Sequence, residues 1–250
     1  MDCLIFGAHG YLGSRIYDYL NIFTPKTKEE LSRAVNQWTC NKEKARTKYG
    51  EISTWDTSLI TDMSKLFKNN KTFNDDISNW DVSNVINMNS MFNCANGFNQ
   101  PLNDWDVSKV KSMLGMFSEA HSFNQPLNNW DVSNVKDMEN MFSEAHSFNQ
   151  PLNNWDVSNV EYMFDMFNGA TSFNQDISNW DTSNIEDMEN MFNNSNIEVL
   201  PEWYLDSDGD DDDSDSEDDD SDGDDSDGDG DGDDSAGAGA GDGDGDGDGD

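Results

Sequence analysis

Phe123-Asn124-Gln125-Pro126-Leu127-Asn128-Asn129-Trp130-Asp131-Val132-Ser133-Asn134-Val135-Lys136-Asp137-Met138-Glu139-Asn140-Met141-Phe142-Ser143-Glu144-Ala145-His146-Ser147 is one copy of a unit that fills the middle of this 250-residue chain. Its Trp-Asp pair recurs at a constant step of 25 residues, with tryptophan at Trp55, Trp80, Trp105, Trp130, Trp155 and Trp180 and aspartate at Asp56, Asp81, Asp106, Asp131, Asp156 and Asp181. Residues 118–135 recur letter for letter at 143–160, as a recent duplication leaves them. A period this strict decides the architecture before any single residue is read: copies stack on copies.

Two spacings alternate inside the copy. Leu127 and Trp130 bracket a short polar pair, which predicts a brief extended strand and a bend. Val135, Met138, Met141 and Phe142 then follow at steps of 3, 3 and 1, the apolar stripe of a two-turn helix with Ser133 placed as its N-cap. One copy buries too few apolar side chains to offset the ordering of its backbone, so neighbours must supply the rest. Stacking predicts strands paired at about 4.8 Å, tryptophan over tryptophan and methionine over methionine. It also predicts a ladder of side-chain amides from Asn124, Asn149 and Asn174. The expected fold is an α/β repeat solenoid, a right-handed stack of short strands and short helices. Residues 1–50 form an N-terminal segment and helical cap, 51–200 six repeats, and 201–250 a few capping residues followed by an acidic tail.

The unit Phe-Asn-Gln-Pro-Leu-Asn-x-Trp-Asp-Val-Ser-x-Val-x-x-Met-x-x-Met-Phe resembles the BspA-like leucine-rich repeat, also described as the mycoplasma lipoprotein-type surface-protein repeat. The resemblance covers residues 51–195 in five good copies and one looser first copy, where Thr57, Leu59, Ile60 and Leu66 stand for the usual Val, Asn, Val and Met. It implies a leucine-rich-repeat-like solenoid, a cell-surface setting, and adhesion or protein binding. The sequence departs from that surface pattern in having neither an export signal nor a lipobox, and read alone it implies an intracellular product.

Ahead of the repeats, Leu4-Ile5-Phe6 runs into Gly7, Gly10 and Gly13, a strand-to-helix turn that resembles the opening of extended short-chain dehydrogenases. There the glycines let a backbone approach a dinucleotide pyrophosphate. The further βα units and the Tyr-x-x-x-Lys pair of that family do not follow, so residues 1–20 read as a capping segment or fusion remnant, with an NAD(P)-dependent oxidoreductase fragment as the distant alternative. Thr24 and Pro25 carry a helix-start signature, and Leu31, Ala34, Val35 and Trp38 mark one apolar face of the helix that follows. Lys42, Lys44, Arg46 and Lys48 read as a solvated surface, since the rest of the chain would repel phosphate.

Charge separates the ends of the chain. Residues 206–250 hold 24 Asp+Glu and no Lys or Arg, out of a net charge of −38. Such a segment has nothing to bury and is expected to stay unfolded. Asp206, Asp208, Asp210, Asp212, Ser214 and Glu217 fit the ligand frame of an EF-hand loop, but Asp211 stands where the turn glycine belongs, which predicts weak, multi-ion calcium association and no defined site. Three scattered cysteines predict free thiols rather than a disulfide framework or a zinc site. No apolar run is long enough to span a bilayer. His121 and His146 share one loop position in neighbouring copies without a completing ligand, and the repeated aspartate is expected to cap the turn after it. No catalytic set emerges. The function expected from these residues is a noncatalytic scaffold that binds a protein or a glycan but no nucleic acid, with a structural or assembly role as the alternative.

Overall fold

In the computed structural model the described residues are 22–205. The expectations placed on Gly7, Gly10 and Gly13, and on Asp206, Asp208, Asp210, Asp212 and Glu217, fall outside them.

Each copy makes one layer out of tight turns. In the copy quoted above, Trp130 N donates to Leu127 O, Val135 N to Val132 O, Met141 N to Met138 O, Ala145 N to Phe142 O and Phe148 N to Ala145 O, at 2.8 to 3.1 Å. Every one of these turns begins and ends on a buried apolar residue. The layer is therefore a polygon whose corners point inward, and a step of three residues between corners carries the apolar positions to the core.

Layers join through alternate backbone groups. Met138, Asn140, Phe142 and Glu144 donate their N–H to the carbonyls of Tyr162, Phe164, Met166 and Asn168 in the next layer, at 2.7 to 2.9 Å. Between them, Met141 N and Ser143 N bond within their own layer, to Met138 O and Asn140 O. Among the described residues the β-type pairing is one isolated parallel bridge per junction between layers, such as Asp137 with Tyr162. Aromatic columns result: Trp130 lies parallel to Trp155 at 6.4 Å between ring centroids, Phe117 over Phe142 at 5.7 Å, and Phe123 over Phe148 at 6.1 Å.

This overturns the α/β solenoid. Among the described residues the repeats contain no α-helix and no sheet, only one 3-10 turn at Ile52–Thr54, and the layer-to-layer backbone ladder runs through residues 136–144, where a helix was expected. The segment 127–132, expected as a strand, is turns. The cause is backbone handedness. Asn140 and Glu144 have φ of 56° and 57°, and every repeat has positive φ at the same two positions, including Gly115 and Gly169. A left-handed residue ends a right-handed helix, and an N–H spent on the next layer cannot bond within a helix of its own.

The first layer is covered by helices α1 (Lys28–Cys40) and α2 (Lys42–Tyr49). α1 starts later than Thr24: Thr27 caps it, its side chain accepting from Glu30 N, while Glu30 Oε2 accepts from Lys26 N at 2.8 Å, a reciprocal cap on the T-x-x-E pattern. Its buried face is Leu31, Ala34, Val35 and Trp38, which meets the first layer where Trp38 sits edge-on to Trp55 at 5.9 Å. α2, read from sequence as a basic surface, is capped by Asn41 and buries Ala45. At the other end, the short helix α3 (Glu202–Leu205) sets Trp203 over Trp180 at 6.3 Å.

Candidate interaction face

Most polar rows of the stack are consumed by the stack. The aspartate after each tryptophan caps its turn: Asp131 Oδ1 accepts from Ser133 N at 3.1 Å and from Ser133 Oγ at 2.6 Å. The hydrogen bonds from Ser108, side chain first and backbone next, hold the Asp106 carboxyl below the ordinary carboxylate range. Asn124 Oδ1 accepts from Asn149 N and Gln150 Nε2, both at 2.9 Å, and the same pattern links Asn149 to Asn174 and Gln175. Asn134 Nδ2 donates to Ser108 O at 2.9 Å. Each indole N–H from Trp80 onward reaches a main-chain carbonyl of the preceding layer, as Trp130 Nε1 does Leu102 O at 2.9 Å. Trp55, in the first layer, has no such partner for its buried Nε1 among the described residues.

The histidines sit where the repeat predicts. His121 and His146 stack at 4.6 Å, with Asn96 Nδ2 at 2.8 Å from His121 Nδ1 and Glu144 Oε2 at 2.8 Å from His146 Nε2. Among the described residues no cluster of His, Cys, Asp and Glu is arranged to hold a metal ion, and no helix is long and apolar enough to cross a membrane.

Three accessible columns around the β-bridge vary from layer to layer. The residue before the bridge runs Thr61, Ile86, Lys111, Lys136, Glu161, Glu186 from layer to layer. The bridge residue runs Asp62, Asn87, Ser112, Asp137, Tyr162, Asp187, and the residue two further on Ser64, Asn89, Leu114, Glu139, Phe164, Glu189. All are exposed or half-buried. Ile86 and Tyr162 are exposed, while Leu114 and Phe164 flank Glu139 at half-burial. Burial, then the carboxylates of Asp137 and Asp187, push the Glu139 carboxyl up from its ordinary value. Tyr162 Oη donates to Glu186 Oε2 at 2.9 Å, and Lys136 pairs with Glu161 across one layer step.

Charge is graded along the same axis. Residues 22–136 carry thirteen Lys+Arg and thirteen Asp+Glu; residues 137–205 carry none and thirteen. The last layers are therefore acidic without compensation. This signal was present in the sequence, but a division of charge at residue 206 alone concealed it.

The period, the turn-capping aspartates and the tryptophan columns extend over the span that a family comparison recovers. Residues 29–143 and 125–203 match the profile of a family described as "Mycoplasma protein of unknown function, DUF285". The chain belongs to this family. Membership places the chain in a mycoplasma repeat-containing family and leaves the finer likeness to BspA-like surface repeats as a matter of function. No curated protein and no solved structure matches the chain.

Proposed function

We infer that the chain is a noncatalytic scaffold whose stack displays the variable edge around the β-bridge to a protein partner. The observation behind this reading is the contrast between positions. Core residues and the turn-capping aspartates repeat from copy to copy, whereas the three columns at the bridge change in size, polarity and charge sign while remaining accessible. A rigid stack can vary such positions without losing packing, since each layer contacts only its neighbours. Aromatic and apolar groups among charges, here Tyr162, Phe164 and Leu114, suit protein recognition. The likeness of the 25-residue unit to BspA-like surface repeats adds an adhesin-type role to this reading.

The test is affinity capture with the intact chain, followed by identification of the bound protein. Tyr162→Ala combined with Phe164→Ser should abolish capture, whereas Asn129→Ala with Asn154→Ala, at exposed positions away from the bridge columns, should not. Equal recovery by both variants would remove the variable edge from the function.

A further inference from the structure

Layer-to-layer bonding leaves a signature at the end of the stack. In the fifth repeat Met163, Asp165, Phe167 and Gly169 donate their N–H to Asp187, Glu189, Met191 and Asn193, at 2.7 to 3.0 Å. The equivalent donors of the last repeat are Met188, Asn190, Phe192 and Asn194, and among the described residues none of the four has an acceptor. They recur at every second residue, the spacing at which an extended chain presents carbonyls on one side.

The C-terminal cap covers only part of this end. Trp203 closes the tryptophan column, its Nε1 donating to Ile177 O at 3.3 Å, and Tyr204 stands edge-on over Phe192 at 5.0 Å. Beside them a groove of about 490 Å³ runs along Ile185, Asp187, Met188, Asn190 and Tyr204. Its rim carries Glu186 and Glu189, both exposed. Half-buried Ile185 and Met188 supply apolar floor. The other end of the stack shows how such an edge can be closed. There Lys28 of α1 reaches the first-layer equivalents of Asp187 and Glu189, with its Nζ 3.0 Å from both carboxylate oxygens of Asp62 and bonded to Ser64 Oγ.

We propose that this edge takes an extended segment of another protein chain, carrying lysine or arginine at alternate positions. Its carbonyls accept from the open N–H groups of Met188, Asn190 and Asn194, continuing the stack by one strand-like layer, in the manner of strand addition at an exposed edge. Its basic side chains meet Glu186, Asp187 and Glu189 as Lys28 meets Asp62. The same three carboxylates disfavour the chain's own aspartate-rich residues 206–250 as the occupant. The inference rests on the protein-binding reading and specifies the chemistry and geometry of the partner.

Amide hydrogen exchange on the intact chain, resolved by residue, tests it with an alternating lysine–threonine peptide as the probe. Without peptide, the amides of Met188, Asn190 and Asn194 should exchange fast while those of Met163, Asp165 and Gly169 are protected. With peptide, the first set should become protected, and Glu186→Lys with Asp187→Lys and Glu189→Lys should weaken binding by about tenfold or more. Peptide binding without protection of these amides, through residues 206–250 or another face, would overturn the edge proposal and leave the scaffold reading in place; absence of binding would do the same. Protection before any peptide is added would show the edge already covered by this chain or a second copy. That result also overturns the proposal, and sedimentation separates the two occupants.

Discussion

Replacing Trp130 and Trp55 by phenylalanine should have different consequences, although both indoles are almost wholly buried. Trp130 Nε1 donates to Leu102 O at 2.9 Å, so Trp130→Phe deletes a buried bond, while Leu102 O keeps the bond from Trp105 N. Losing one such bond costs about 0.5–1.5 kcal/mol, and the smaller ring adds about 1 kcal/mol for the space it vacates between Trp155 and Phe117. The expected loss is about 1.5–2.5 kcal/mol. Trp55 begins the column, and its buried Nε1 has no partner among the described residues. Trp55→Phe therefore removes an unsatisfied donor, a relief of about 1–3 kcal/mol that offsets the lost packing of about 1 kcal/mol and leaves stability unchanged or up to about 2 kcal/mol above the parent. Urea unfolding of the two variants, followed by circular dichroism, measures the difference. Equal losses would show that the indole bonds contribute nothing and that the columns hold by packing alone.

Backbone handedness gives a second test: Asn140→Val, placing a β-branched residue at φ 56°, should destabilise by about 1–2 kcal/mol, while Asn140→Gly should be neutral or better, as thermal melts will show. Glu119→Gly, relieving φ 57° at an exposed site, should raise the melting temperature. Serine hydrogen bonds hold Asp56, Asp106 and Asp181 below the ordinary carboxylate range. Their folded values lie below the unfolded ones, so their contribution is present above about pH 4 and is lost as pH falls through the folded values. Converting all three to Asn should flatten the acid limb of a plot of melting temperature against pH. Glu139 has the opposite sign, since burial and neighbouring carboxylates raise its folded value and its ionised form costs stability at neutral pH. Glu139→Gln should raise the melting temperature at pH 7 and make no difference in acid.

The 25-residue layer and its columns were legible in the sequence because tryptophan, methionine and phenylalanine recur in fixed register. The helix and strand were not. A turn that starts and ends on a core residue advances by three, and Val132, Val135, Met138 and Met141 follow that step as naturally as they follow a helix face. The correcting signal lay at the position of Ser90, Gly115, Asn140, Asp165 and Asn190, a column dominated by residues that tolerate positive φ. The start of α1 was misplaced because Thr24-Pro25 outweighed Thr27 and Glu30, the pair that makes the reciprocal cap. The open edge was invisible beforehand, because it belongs to no residue type. It follows from which direction each N–H points, and only the stack reveals that among the described residues Met188 and Asn190 have no layer beyond them.

The register of the ladder constrains how such a chain can change length. Since each layer bonds to the next by the same four donors, adding or removing a whole unit breaks one junction and makes an equivalent one, with every interior bond recovered. A shift of a single residue would instead turn a buried corner outward and misalign the donors of that layer with the carbonyls of its neighbour. Recombination between copies as alike as residues 118–135 and 143–160 moves the chain in whole units and so keeps to the permitted steps. Size in this architecture is quantised, and lineages can lengthen or shorten the displayed surface by unequal exchange while the caps at both ends stay as they are.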